Sequence, residues 1–359
     1  MKRTASLVLA ALAAVSLLTV AAACGQVATQ PKTQQTTQTV TRPAGQAVAG
    51  QAGQTTTTTA PAASAASATA GGPAVFPVLK GPYLGQQPPD ATPKVFAPGI
   101  VSTESHEFSC TFTPDGQEFF FARRHPTLNQ VVLMTMRLKD SVWTVPEVAP
   151  FVENSMSFEA NVTPDGKRLY FCSGKPVPGQ AGPPMNILYV DREGDHWSAA
   201  KDPGAPLNPA KAMHVSVASS GNIYTTDISQ GMGTEAIGFA RKVEGGYKTL
   251  ERLGAPIAAG VQSMYPFIAP DESYLIYGSG KPGGPTPPAL LISFRKPDGA
   301  WGEPQPIDLG LDAGIPFVTA DGKYLFFTAG ERGKSDIYWV SASVIESLRP
   351  GQPKPKASR

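Results

Sequence analysis

The sequence predicts an all-β fold: a five-bladed β-propeller of four-stranded antiparallel blades, with the last blade closed by an N-terminal strand. Three observations predict it. A turn-centred segment recurs at Asp115, Asp165, Ser220, Asp271 and Asp321, at intervals of 50, 55, 51 and 50 residues, and a period near fifty marks a propeller or solenoid. Each repeat reads as four strand-like segments. Only 16% of the 359 residues are charged, while Gly and Pro number 36 each, which disfavours long surface helices and favours turns.

The first two strands of a repeat are clearest in "SCTFTPDGQEFFFA" and "TPDGKRLYFCSG". Pro pre-sets φ for a type I turn, and Gly takes the left-handed position that closes the hairpin. In the fourth repeat Glu272 stands where the others have Gly, so that turn is expected to be strained or different. Third strands are read in "QVVLMTMRL", "MNILYVDRE", "AIGFARKV", "ALLISFRK" and "SDIYWVSAS". A fourth segment follows, opened by Trp143, Trp197, Tyr247 or Trp301 and ending in a Pro-containing apolar run. The fifth repeat has no such segment. "TPKVFAPGI", residues 92–100, has no hairpin of its own and resembles those endings. It is expected to complete the fifth blade and remove the open sheet edge.

Four regions are expected: a targeting segment over 1–24, a tether over 25–75, the propeller over 76–349 and a tail over 350–359. Lys2 and Arg3, the apolar run Leu7 to Val20 and "AAAC" form the targeting segment. Cys24 after small residues resembles a bacterial lipobox, although Ala21 stands where Leu is commoner. The resemblance implies export and a lipid anchor on Cys24, in the periplasm or at the cell surface. Residues 25–75 are Gln, Thr, Ala, Pro and Ser, too poor in large apolar residues to offset ordering entropy. About fifty such residues span ~40 Å on average. Cys110 and Cys172 fall in strands among apolar neighbours and are expected to pack as buried thiols.

"TPDGKRLYF", "SDIYWVS" and "AWGEPQPIDLG" resemble the WD-like propeller repeats of the TolB type, over about residues 92–345. The resemblance implies the propeller fold. The family spans protein-binding modules, lipoproteins and some polysaccharide-acting enzymes. TolB itself carries six blades and a separate N-terminal domain, so a role in the Tol system does not carry over to five blades.

In a blade, the first strand begins, and the second ends, on the face opposite the turns. Loops converge there on a rigid scaffold, so that face is the expected ligand mouth. The residue six before each turn is Ser109, Glu159, His214, Tyr265 or Ile315, with His106 and Glu107 nearby. Arg123, Arg124, Lys175, Asp227, Lys281 and Arg332 stand at the ends of the second strands. The expected ligand-binding set is therefore His106, Glu107, Arg123, Arg124, Glu159, Lys175, His214, Asp227, Tyr265, Lys281 and Arg332. The alternative is a solvated rim with Glu159 paired to a cation.

The net charge of +2 and the lack of a basic stripe argue against nucleic acid. "GKS" at 333–335 precedes a strand rather than a helix, and neither H-E-x-x-H nor G-x-S-x-G is present. No cofactor and no metal are expected. The leading functional expectation is a lipid-anchored envelope module that binds a protein or a polysaccharide- or peptidoglycan-associated partner. The alternative is a glycan hydrolase or lyase. A hydrolase of this kind needs two carboxyls roughly 5–9 Å apart, with Glu159 and either Glu107 or Asp227 as candidates. Carboxylates tied to Arg123 or Lys175 would count against it.

Overall fold

In a computed structural model, residues 76–351 are described except 154, 180–184, 209–211, 232, 260–261, 281–288 and 332. The targeting segment, the tether, Cys24, Lys281 and Arg332 lie outside the described residues. Five antiparallel four-stranded sheets surround a central channel. The first strands are Glu107–Phe112, Ser157–Val162, Ala212–Val217, Gln262–Ile268 and Ala313–Val318. Each contacts the first strands of both neighbouring blades, and the last contacts the first.

Ring closure follows the sequence expectation. Lys94–Val95 pairs antiparallel with Lys334–Ser341, Lys94 opposite Trp339 and Val95 opposite Tyr338. The Phe96 amide then donates to the Ile337 carbonyl at 2.8 Å. The Phe96 ring is fully buried between the joined blades, 5.0 Å from Phe326, 5.2 Å from Trp339 and 5.4 Å from Phe119. Upstream, the chain crosses the turn face. The Trp143 amide and indole donate to the carbonyls of Leu79 and Gly81, and the Tyr83 hydroxyl donates to Asp321.

The turns explain the recurring Thr and Asp. In the second blade the Thr163 hydroxyl donates to Asp165 at 2.6 Å, Asp165 accepts the Lys167 amide, and Thr163 accepts the Arg168 amide. The same bonds recur at Thr113 and Thr319. Gly116, Gly166 and Gly322 take φ near +70°. Glu272 takes the same conformation, φ +58°, without altering the turn. Its carboxylate reaches the third blade, where it accepts from Ser220, Asn222 and Tyr224, and it accepts Arg295 from its own blade at 3.0 Å.

The aromatics that were expected to open the fourth segment act differently. Trp143, Trp197 and Tyr247 sit on short hairpins that fold back before the outer strand. From there they fasten one blade to the previous segment of chain. The Trp197 indole donates to Glu118 of the first blade at 2.7 Å, and Trp301 lies edge-on to Tyr224 of the third. The C-terminal helix Ser343–Glu346, which the sequence reading did not anticipate, buries Ile345 beside the fifth blade.

Phe96→Ala should cost about 3–5 kcal/mol, because a fully buried aromatic is lost at the joint; equilibrium denaturation reads this directly. Glu272→Gly should also destabilise. It relieves left-handed strain of roughly 1–2 kcal/mol but removes charge-assisted hydrogen bonds of about 1.5–3 kcal/mol each. A denaturation midpoint above that of the wild type would show that strain dominates at this turn.

Candidate functional site

The column six residues before each turn is the structural key to the channel. Ser109, Glu159, His214, Tyr265 and Ile315 all adopt left-handed backbone, φ +50° to +55°. At each the pairing of first and second strands shifts register. A β-bulge re-aims its side chain and withdraws a residue from the ladder. Here five bulges stand side by side around the axis.

Three of the freed amides are taken by the preceding blade. Ser109 N–H donates to Thr328 Oγ1 at 3.0 Å, His214 N–H to Cys172 Sγ at 3.3 Å and Tyr265 N–H to Thr226 Oγ1 at 2.8 Å. Thr328, Cys172 and Thr226 occupy one register position of the second strand. In the first and fourth blades that position holds Ala122 and Gly278, which carry no acceptor. Cys172 therefore has a bonding role that the expectation of a small hydrophobe missed. Cys110 and Cys172 are both free and buried.

A cavity of about 410 Å³ opens among the starts of the first strands and the ends of the second strands, opposite the turns. His106, Glu159 and Tyr265 line it. It also takes in Phe108, Asp312 and Glu331, which the sequence reading left out. His106 stacks on Phe108 at 4.9 Å, and its Nδ1 faces the Ser335 amide and hydroxyl at 3.3 and 2.9 Å. Burial holds the His106 imidazole below its usual pKa.

Glu159 is only 3% exposed. Its carboxyl meets the Cys172 thiol at 3.5 Å and His214 Nδ1 at 3.7 Å. Burial pushes its pKa up to about 8 and pushes His214 down to about 4. The two lie within ion-pair distance, yet both are neutral near pH 7, because desolvation disfavours each charge. The His214 Nε2 donates to the Pro266 carbonyl at 3.2 Å, so Nδ1 is the bare nitrogen. Among the described residues it has no hydrogen-bond partner. Burial and the adjacent Glu159 raise the Cys172 thiol far above the usual range, so it is no thiolate nucleophile.

The other expected residues are placed elsewhere. Glu107 is fully buried and accepts Arg123 Nε at 2.8 Å and the Thr103 hydroxyl at 2.6 Å. Arg123 also donates to the carbonyls of Ile100 and Val101, so this pair fixes the loop that follows the closing strand. Asp227 accepts Arg252 at 2.7 Å, Lys175 pairs with Glu153 at 2.7 Å, and the exposed Arg124 bonds Asn129. A larger cleft of about 670 Å³ lies on the turn face beside Tyr83. Its Asp115 and Asp321 are engaged in turn bonds, and it holds none of the channel groups.

No family model and no curated protein matches the chain. Solved structures similar to it include TolB from Acinetobacter baumannii, at 14% identity over 67% of this chain and 55% of that one, with a TM-score of 0.42. A gluconolactonase from Xanthomonas campestris is 13% identical over 74% of this chain and 97% of that one, TM-score 0.42. An oligogalacturonate lyase from Vibrio parahaemolyticus is 12% identical over 66% and 78%, TM-score 0.35. This chain thus spans little more than half of the Acinetobacter protein. Likenesses this distant carry no argument about activity.

Glu159→Gln tests the neutral pair. A carboxyl whose folded pKa is raised from 4.5 to about 8 stabilises the fold most below pH 4.5 and less as pH rises to about 8. His214, lowered from 6.5 to about 4, opposes folding as pH falls through that window, in both proteins alike. The melting temperature of Glu159→Gln, relative to wild type, should therefore rise between pH 5 and pH 8. A constant difference would mean that Glu159 is already ionised at pH 5.

Proposed function

We propose that this protein is an exported, lipid-anchored β-propeller of the bacterial cell envelope whose channel mouth binds a protein or an envelope polymer. One observation carries the reading. His106, Glu159 and Tyr265 converge on a single cavity, while Glu107, Asp227 and Lys175 are bound to Arg123, Arg252 and Glu153. What remains at the mouth, among the described residues, is a ring-lined recess without an activated nucleophile, the character of a binding site. The lipobox-like Cys24 and the polar tether support the anchored placement.

The glycan-hydrolase reading keeps one observation: Glu159 has the raised pKa of a general acid and shares its cavity with Asp312. Its two expected partner carboxylates, Glu107 and Asp227, are both neutralised by arginines. Binding is therefore the better supported function.

Cys24→Ser should move the protein from the membrane to the soluble fraction, and continued sedimentation with membranes would refute the anchor. The soluble domain should be retained by isolated envelope material. Tyr265→Ala should weaken that retention at least tenfold. Equal retention, or release of reducing sugar from the envelope material that Glu159→Gln abolishes, would overturn the binding reading.

A further inference from the structure

We propose that the mouth takes the cationic end of a lysine or arginine side chain from a peptide partner, seated between the Phe108 and Tyr265 rings with its charge facing Glu159. This rests on the mouth being the binding site. Among the described residues three carboxyl groups line the cavity: the buried Glu159 and the exposed Asp312 and Glu331. Among the described lining residues His106 is the single basic group. It is held neutral, with Nδ1 occupied by Ser335.

The acids alone would be an ordinary polar rim. Two further features point to a ligand. Glu159 is nearly fully buried yet borders the cavity. Its carboxyl meets only a thiol at 3.5 Å and, at 3.7 Å, the His214 Nδ1, which has no hydrogen-bond partner among the described residues. Aromatic faces also line the recess, and a ring quadrupole attracts a cation most strongly where water is excluded. Of the described rim groups, Asp312 and Glu331 would repel an anionic polymer. A neutral glycan would use the rings but leaves the three carboxyls without a role.

The groups facing Glu159 set the pH response. Cys172 and His214 contact it, while His106, Tyr265, Asp312 and Glu331 share its cavity. None of them supplies a positive charge at neutral pH. An incoming ammonium or guanidinium does, and it favours the ionised carboxylate. Binding therefore releases the Glu159 proton, and affinity rises with pH up to the pKa of the empty site.

The probes are the peptide acetyl-Gly-Gly-Lys-Gly-Gly-amide, its Nε-acetyl-lysine form and chitotetraose, titrated calorimetrically into the domain at pH 6, 7 and 8. The lysine peptide should bind about ten- to a hundredfold more tightly at pH 8 than at pH 6. The acetylated peptide should bind at least tenfold more weakly at pH 8. Glu159→Gln, folded by its melting curve, should flatten the pH dependence. Equal binding of both peptides, a flat wild-type profile, or binding of chitotetraose alone would overturn the proposal. If envelope retention still depends on Tyr265 while both peptides fail to bind, this inference falls and the binding reading stands. Retention independent of Tyr265 refutes the binding reading itself.

Discussion

The pairing of Lys94–Val95 with Trp339 and Tyr338 is the constraint on which the molecule depends. Five sheets packed around an axis leave one blade lacking an outer strand unless the chain's two ends meet in it. Two ladder residues form a short strand, and their hydrogen bonds alone would contribute little. What holds the joint is the ring of Phe96, buried among Phe119, Phe326 and Trp339. The Ser102 hydroxyl, bonded to both the amide and the carbonyl of Ile337, continues the attachment. Arg123 and Glu107 then clamp the loop between. Two groups that stand at the mouth in the sequence are thereby committed to closure, because the loop carrying the chain into the first blade passes over them.

Closure makes a channel, and the bulges decide what it contains. Left-handed backbone at Ser109, Glu159, His214, Tyr265 and Ile315 withdraws one residue of each first strand from its ladder. Left-handed conformation costs roughly 1–2 kcal/mol at each non-glycine residue. Hydrogen bonds donated to Thr328, Cys172 and Thr226 offset it in three blades and couple each of these to the blade before it. Strain without that compensation sits at Glu159 and Ile315, and both line the mouth cavity.

The fold was legible because it is repetitive. The turn residues, the alternating apolar runs and the orphan segment 92–100 each carry a local signal, and a period confirms a pattern that one copy could not. The site was legible only by position. The offset of six from the turn located the channel column, yet nothing in "SFEAN" or "AMHVS" announces a left-handed bulge, since glutamate and histidine are not turn formers. Which charges remain available was hidden as well. Asp227 meets Arg252 across two strands, and Glu107 meets Arg123 through the closing loop. Such pairings are set by register and by how a connection crosses the face. For the same reason Asp312 and Glu331, single acids at strand ends, gave no sign that they share a cavity with Glu159.

The two faces of the ring differ in chemical capacity, and that difference bears on function. On the turn face each carboxylate of the repeated Thr-Asp pair accepts a hydroxyl and a backbone amide at one oxygen. That oxygen is held for structure. On the mouth face the repeated pairing of the turns gives way to an interior in which burial outweighs pairing. Glu159 and His214 stay neutral within 3.7 Å of each other, although an ion pair there would satisfy both. In a medium this poorly hydrated, separating charge between them costs more than their attraction returns. A positive charge brought in from outside arrives with its own partner groups and tips that balance without charging His214. A site built in this way distinguishes a cation from a neutral group by the proton it gives up.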